Sequence, residues 1–358
     1  MTVRVVQWAT GAVGLASLRE VIDRPDLELV GLFVYSPDKV GLDAGTIASR
    51  EVTGVVATDR KDEILALDAD LVLHNASKAF PVNTNSDDIV DLLESGKSVI
   101  TTTSYNHLPT YDPVLDERVR AACARTGARF HAAGEHPGFM FERLATSITA
   151  LSQRVDRITV QEFVDVSRVP AKGMLTDLMG MGKQPEEITV DAPMFRSLSK
   201  QYEQSIAAAA DVLGVTIDEV RPSIRVGTSP NDVDVAFGVL PAGSVVGQIL
   251  TWTGYHDGAP ALVAEEYWTV TDDIPGWDLS LDGFHIRVLI DGAPPFRLDL
   301  TIDRDRIGPD DAVTGGQAMV AMTAVNAIAD VLAAPAGVVT PPVFGARHSI
   351  PRHHRSTR

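Results

Sequence analysis

The stretch Val3-Arg4-Val5-Val6-Gln7-Trp8-Ala9-Thr10-Gly11-Ala12-Val13-Gly14 decides the fold. An apolar run enters a turn of small residues, and the turn opens a helix pattern. Leu15, Leu18 and Ile22 recur at three and four residues, so one face of that helix is apolar and can pack on a sheet. Pro25 stops the helix, and Glu28-Leu29-Val30-Gly31-Leu32-Phe33-Val34 follows as a second buried strand, completing a βαβ unit. Ala9, Gly11 and Gly14 have the spacing of G-x-G-x-x-G with alanine in the first place. At such a corner the first backbone N–H groups of the helix are unpaired, the helix dipole adds positive charge, and the glycines admit a pyrophosphate. The first glycine serves the tight turn, and alanine can stand there if its φ stays negative. The expectation is a dinucleotide site at Ala9, Thr10, Gly11, Ala12, Val13 and Gly14. The alternative is a flavodoxin-like or other doubly wound sheet whose glycine turn binds nothing.

Outward from this unit, the second strand ends at Tyr35-Ser36-Pro37-Asp38-Lys39. An NAD-preferring site carries an acid there for the ribose 2′-hydroxyl. Tyr35 and Ser36 occupy that place, with Lys39 close by, which favours NADP(H) and leaves NAD(H) possible. In the alternative, Lys39 is a solvated charge and Asp38 holds the ribose. Strands and helices keep alternating. Strand 70–75 ends in polar residues at Asn75, next to Ala76, and strand 98–102 runs into Thr102 and Thr103. Asp112-Pro113 opens a helix that stops at Gly127, before strand 128–133 and Gly134. This pattern implies a Rossmann-type, doubly wound parallel sheet in an α/β fold.

The pattern changes near residue 150. Ile158, Val160, Val164 and Val166 share one strand face with Glu162, and the runs 245–255, 262–270, 284–290 and 296–302 are joined by turn signals, Asp257-Gly258 and Asp291-Gly292 among them. A second α+β domain with a mainly antiparallel open sheet is expected, its face covered by a helix around residues 195–213. The segment 168–191 reads as a long loop of the lid kind. The helix at 317–332 is apolar on nearly all sides and is expected to return to the first domain. The predicted organisation is 1–150 for dinucleotide binding, 151–314 for substrate and dimerisation, 315–345 for the returning helix, and 346–358 as a tail.

The 358 residues carry a formal charge of −17, with 45% hydrophobic and 22% charged residues. A chain so acidic lacks the basic face that nucleic acid or an anionic membrane requires, and a small polar ligand fits better. The single cysteine, Cys123, can form no internal disulfide and reads as a core residue of a cytoplasmic protein. No export signal opens the chain, and no apolar stretch reaches 18 residues without polar interruption. No His, Cys, Asp and Glu cluster has metal-ligand spacing.

Four segments carry a family resemblance: 8–14, then Ser36-Pro37-Asp38-Lys39-Val40-Gly41-Leu42-Asp43-Ala44-Gly45, then Gly134-Glu135-His136-Pro137-Gly138-Phe139, and Ala324-Val325-Asn326-Ala327-Ile328. In this order they resemble actinobacterial NAD(P)-dependent oxidoreductases with a dihydrodipicolinate-reductase-like N-terminal domain, the group of diaminopentanoate dehydrogenase and the native amine dehydrogenases. The resemblance implies a Rossmann domain, an open-sheet domain that commonly dimerises, and hydride transfer to or from a C=O or C=N carbon. Native amine dehydrogenases place a glutamate just after the fifth strand, whereas this chain reads Thr101-Thr102-Thr103-Ser104-Tyr105-Asn106-His107. A carbonyl or imine reductase acting on a small, partly apolar substrate is therefore expected ahead of an ammonia-dependent amine dehydrogenase.

Such chemistry needs a proton donor near the developing oxyanion or amine, beyond the carboxyl ends of the strands. Tyr105, His107 and His136 are the available donors, and Glu135 is the nearby carboxylate. Each has a structural alternative: an aromatic wall for Tyr105, a solvent-facing ring for His107, a loop hydrogen bond for His136 and a helix cap for Glu135. Gly134 and Pro137 are expected to shape the nicotinamide pocket. The remaining readings are an amine dehydrogenase with a carboxylate from elsewhere, and a non-catalytic NADP(H) sensor.

Overall fold

The computed structural model describes residues 2–77, 85–169, 171–277, 279, 284–302 and 313–343. The chain divides into two compact units, Met1–Phe139 with Pro309–Pro342, and Met140–Gly308 with Val343–Arg358.

The first unit alternates strand and helix: β1 (Val3–Trp8), α1 (Ala12–Asp23), β2 (Leu27–Phe33), α2 (Ala44–Ala48), β3 (Ala57–Thr58), α3 (Lys61–Ala66), β4 (Leu71–His74), α4 (Asn85–Glu94), β5 (Ser98–Thr101), α5 (Leu108–Tyr111), α6 (Pro113–Thr126) and β6 (Arg129–Ala132). The strands pair in parallel in the order β6-β5-β4-β1-β2-β3. The order reverses between β1 and β4, which is where open α/β sheets bind ligands. Helix ends follow local chemistry. The Asp112 carboxylate accepts from the N–H groups of Val114 and Leu115, Pro113 takes the first helical position, and Gly127 closes α6 at φ 79°. Cys123 is buried on α6, as a small core residue.

The second unit begins earlier than residue 151. Residues 140–151 wind into short helical turns, including α7 (Thr146–Ile148), and pack with β7 (Arg154–Asp165) and α8 (Pro193–Leu213). Its sheet adds β8 (Glu219–Thr228), β11 (Val245–His256), β12 (Ala259–Thr269), β13 (Phe284–Ala293) and β14 (Phe296–Ile302), and a separate hairpin pairs β9 (Val233–Val235) with β10 (Gly238–Leu240). The six-stranded order is β14-β13-β7-β12-β11-β8, antiparallel except for β7 with β12. Asp257 and Gly258 both have positive φ, 50° and 76°, and make the tight β11–β12 turn. Asp291-Gly292 is not a turn: it lies within β13 as a register shift against β7, and the chain reverses beyond Ala293. The segment 168–191 carries a helical turn at Met174–Leu178 and another at Pro185–Glu187.

The chain returns through α9 (Gly315–Asn326), α10 (Ile328–Ala333) and β15 (Gly337–Val338), which pairs with β6. By length and composition Gly315–Ala333 could cross a membrane. In the fold its buried residues Ala324, Val325, Ile328 and Val331 pack with Val5, Leu71, Leu73 and Ile100 of the parallel sheet. The tail 346–358 lies outside the described residues.

Candidate cofactor and active site

At the corner after β1 the Leu15 N–H makes the first helical bond, to the Gly11 carbonyl at 2.7 Å. The N–H groups of Gly11, Ala12, Val13 and Gly14 thus have no acceptor within the helix. A Cβ at Gly14 would stand 2.3 Å from the Ala9 carbonyl oxygen, whereas one at Gly11 would meet nothing within 4 Å. Gly14 therefore seats the helix on the strand, and Gly11 leaves the approach to the amides open. These features fit a pyrophosphate.

Ala9 does not keep a negative φ; it sits at 73°, in the left-handed region. Two hydrogen bonds hold it there. Its N–H donates to the Phe33 carbonyl at 2.9 Å, and its own carbonyl accepts from Gln7 Nε2 at 2.8 Å. Gln7 Nε2 also reaches Asn75 Oδ1 at 2.9 Å, and Asn75 Nδ2 donates to Thr102 Oγ1 at 3.0 Å. Asn75 and Thr102 thus brace the turn from the neighbouring strands. Such a φ costs a non-glycine residue about 1–2 kcal/mol.

At the end of β2, Lys39 Nζ donates to the Thr10 carbonyl at 3.1 Å and to Thr10 Oγ1 at 3.0 Å. This ties the cation to the phosphate turn itself. Tyr35 is half exposed, and its hydroxyl accepts from Trp8 Nε1 at 2.9 Å. The Trp8 ring stacks on Phe33 at 3.9 Å, and Phe33 meets Tyr35 edge-on. Ser36 precedes the turn Pro37–Lys39 and is exposed.

Beyond β4, β5 and β6 the residues separate by role. Ala76 is buried in the apolar core. Thr103 is 3% exposed, and its hydroxyl meets Thr101 Oγ1 at 2.6 Å, which in turn meets His74 Nδ1 at 3.0 Å. Thr103 therefore faces the core rather than a cofactor. Burial pushes the His74 pKa down to about 3 and keeps the ring neutral. Tyr105 is 1% exposed, its ring edge-on to Tyr111 and its hydroxyl 3.0 Å from Ser86 Oγ. Burial raises its pKa, so the hydroxyl stays protonated within the core. His107 does not simply face solvent: it caps α5, with Nδ1 2.8 Å from Thr110 Oγ1. Glu135 is buried, and its carbonyl accepts from the Phe139 N–H at 3.0 Å. His136 is half-buried and joined to Pro137 by a cis peptide. Gly134 lies under the Pro137 carbonyl, which a Cβ there would approach to 2.2 Å.

Asn106 is not among the residues that the sequence singles out. Its Nδ2 and Oδ1 are both buried without a hydrogen-bond partner. Nδ2 lies against the 134–138 loop, where a Cβ at Gly138 would come within 2.9 Å.

Within the second unit, Glu162 on β7 and Glu266 on β12 are register partners, both buried, with carboxylate oxygens within 4.8 Å of one another. Glu266 accepts from the Tyr202 hydroxyl and from Trp268 Nε1, the latter at 3.1 Å. Trp268 also lines a mainly apolar cavity of about 170 Å³ with Met179, Ile188, Phe195, Leu198 and Leu250, which Asp177, Lys183 and Glu187 line as well. An apolar cavity of roughly 150 Å³ holds a benzene ring.

These features define an NAD(P)-dependent oxidoreductase with a Rossmann-type unit and a second, mixed-sheet unit. Residues 139–356 match the model of the 2,4-diaminopentanoate dehydrogenase C-terminal domain, and the chain belongs to that family. It is 30% identical, over 91% of both chains, to an amine dehydrogenase of Streptomyces virginiae. The structure of an amine dehydrogenase from Mycobacterium smegmatis superposes with a TM-score of 0.71 at 20% identity, covering 96% of this chain and 97% of that one. GenD2 from gentamicin A biosynthesis, in complex with NAD, superposes with a TM-score of 0.54 at 14% identity over 97% and 90%.

Proposed function

We propose that this oxidoreductase uses NADP(H) in preference to NAD(H) and interconverts a small, partly apolar amine with its imine or carbonyl. The observation that carries the cofactor half is the corner after β1, where open amides stand beside Lys39 bound to Thr10. A 2′-phosphate would meet a fixed cation there and no carboxylate at the strand end. When bound, the nicotinamide ring supplies or accepts the hydride.

The amine half draws support from the similarity to the Streptomyces amine dehydrogenase. The chain lacks a carboxylate in residues 101–106, so recognition of an ammonium or iminium group falls to Glu135 or to the Glu162–Glu266 pair. In the reductive direction, carbonyl and ammonia give imine and water, and the protonated imine takes the hydride to become the amine. The cavity beside Trp268 has the size and lining for the apolar part of such a substrate. We also propose that the protein works as a homodimer in the cytoplasm and without nucleic-acid or membrane partners.

Plain carbonyl reduction is the second reading, favoured by the absence of any carboxylate in residues 101–106. Oxidation of NADPH with simple ketones and aldehydes, with and without ammonium, separates the two. The amine reading expects cofactor consumption only with ammonium present, and loss of it in Glu162→Gln or Glu135→Gln. Ammonium-independent consumption would establish carbonyl reduction. Cofactor binding without turnover across a broad carbonyl, imine and amine panel would leave only the sensor.

A further inference from the structure

Asn106 is held in place from both sides. Tyr105 before it is anchored in the core through Tyr111 and Ser86, and His107 after it caps α5. Ser104, at φ 54°, bends the chain as it leaves β5. The Asn106 side chain therefore has little freedom to swing toward water, yet its Nδ2 and Oδ1 are buried with no partner. Leaving a buried donor and acceptor both unmade is costly, and such a pair calls for an explanation, a bound ligand being one.

The surroundings leave room. Gly138 has φ 128°, and a Cβ there would crowd Asn106 Nδ2 at 2.9 Å and Gly134 N at 2.7 Å. The amide thus lies against backbone stripped of side chains, beyond the carboxyl ends of β5 and β6, where an open α/β sheet presents its ligand.

The chemistry narrows the ligand. A phosphate or carboxylate would satisfy only the donor, and an ammonium group only the acceptor. A primary carboxamide offers a carbonyl oxygen and an N–H side by side and satisfies both. We infer that Asn106 and the 134–138 glycine loop form a carboxamide-binding subsite that reads the nicotinamide amide, fixing which face of the ring is presented. This rests on the dinucleotide reading above. Asn106 is a positioning residue: it sets the ring and takes no part in proton or hydride transfer.

The test is binding rather than turnover. Dissociation constants are measured by calorimetry for NADP⁺, for its 3-acetylpyridine analogue, in which a methyl replaces the amide nitrogen, and for 2′-phospho-ADP-ribose, which has no ring. Wild type should bind NADP⁺ several-fold tighter than the analogue. Asn106→Ala should weaken NADP⁺ about tenfold, the loss expected for a pair of hydrogen bonds, and bind NADP⁺ and the analogue equally. 2′-Phospho-ADP-ribose should stay within about twofold of wild type, since its contacts lie at the phosphate corner. Asn106→Leu, close in size and with neither donor nor acceptor, guards against a folding defect and should likewise lose the preference. If both variants keep the wild-type preference while 2′-phospho-ADP-ribose binds normally, Asn106 does not read the carboxamide and the dinucleotide reading survives. If wild type binds none of the three, nor NAD⁺, the dinucleotide reading falls and this subsite with it.

Discussion

The two ends of the first unit's ligand edge are built on opposite principles. At the corner after β1, the proposed recognition belongs to the backbone: the amides of residues 11–14 would be the donors, and the side chains are small so that they stay clear. Beyond β5 and β6, recognition belongs to a side chain, Asn106, while glycines at 134 and 138 only make room for it. A backbone site tolerates change wherever small residues remain, and a side-chain site depends on one amide.

The largest effect expected from this contrast is at Gly14. A Cβ there would stand 2.3 Å from a carbonyl oxygen that Gln7 already holds. Gly14→Val should cost about 3 kcal/mol of stability through overpacking, read by urea unfolding. Near-normal stability would show that the corner can yield and that its geometry is less fixed than the hydrogen bonds imply.

Between the two ends sits His74, buried and neutral, with its pKa lowered to about 3. The unfolded chain binds a proton near pH 6.5, and the folded chain does not until about pH 3. Stability is therefore full above pH 6.5 and falls as the pH drops toward 3, by up to about 1.4 kcal/mol per pH unit. His74→Gln should flatten that acid slope in denaturant titrations at pH 7 and pH 5. An unchanged slope would mean that other groups govern acid stability.

A smaller effect separates the two cofactors at the corner. Lys39→Ala should weaken NADPH about tenfold, in line with a charge-assisted contact, and leave NADH nearly untouched. Equal loss for both would show that Lys39 only braces Thr10. The smallest effect is a gain: Ala9→Gly relieves a left-handed alanine and should stabilise the protein by about 0.5–1 kcal/mol, after the added chain entropy of glycine. A lower melting temperature would mean that the Ala9 methyl packs usefully.

The same contrast explains what the sequence disclosed. The β1 corner, the parallel alternation and the α6 caps were legible because backbone recognition and local capping leave short-range spacing in the chain. The φ of Ala9 was not, because it follows from bonds to Phe33 and Gln7 that form only when the strands pair. Tyr105 reads as a donor in sequence, since nothing local shows Ser86 and Tyr111 closing over it. Asn106 gave no signal because its surroundings are a loop some thirty residues away. The unit boundary moved to residue 140 for a similar reason: helical turns 140–151 carry no mark of which sheet they will cover.

The proposed cofactor site depends most on the amides that follow Trp8. Hydrogen–deuterium exchange of residues 9–15, with and without saturating NADPH, tests it directly. Ligation by a diphosphate should slow exchange of the residue 11–14 amides by about tenfold or more, as bonds to a charged acceptor would. Exchange there that is unchanged while NADPH is demonstrably bound would contradict the account.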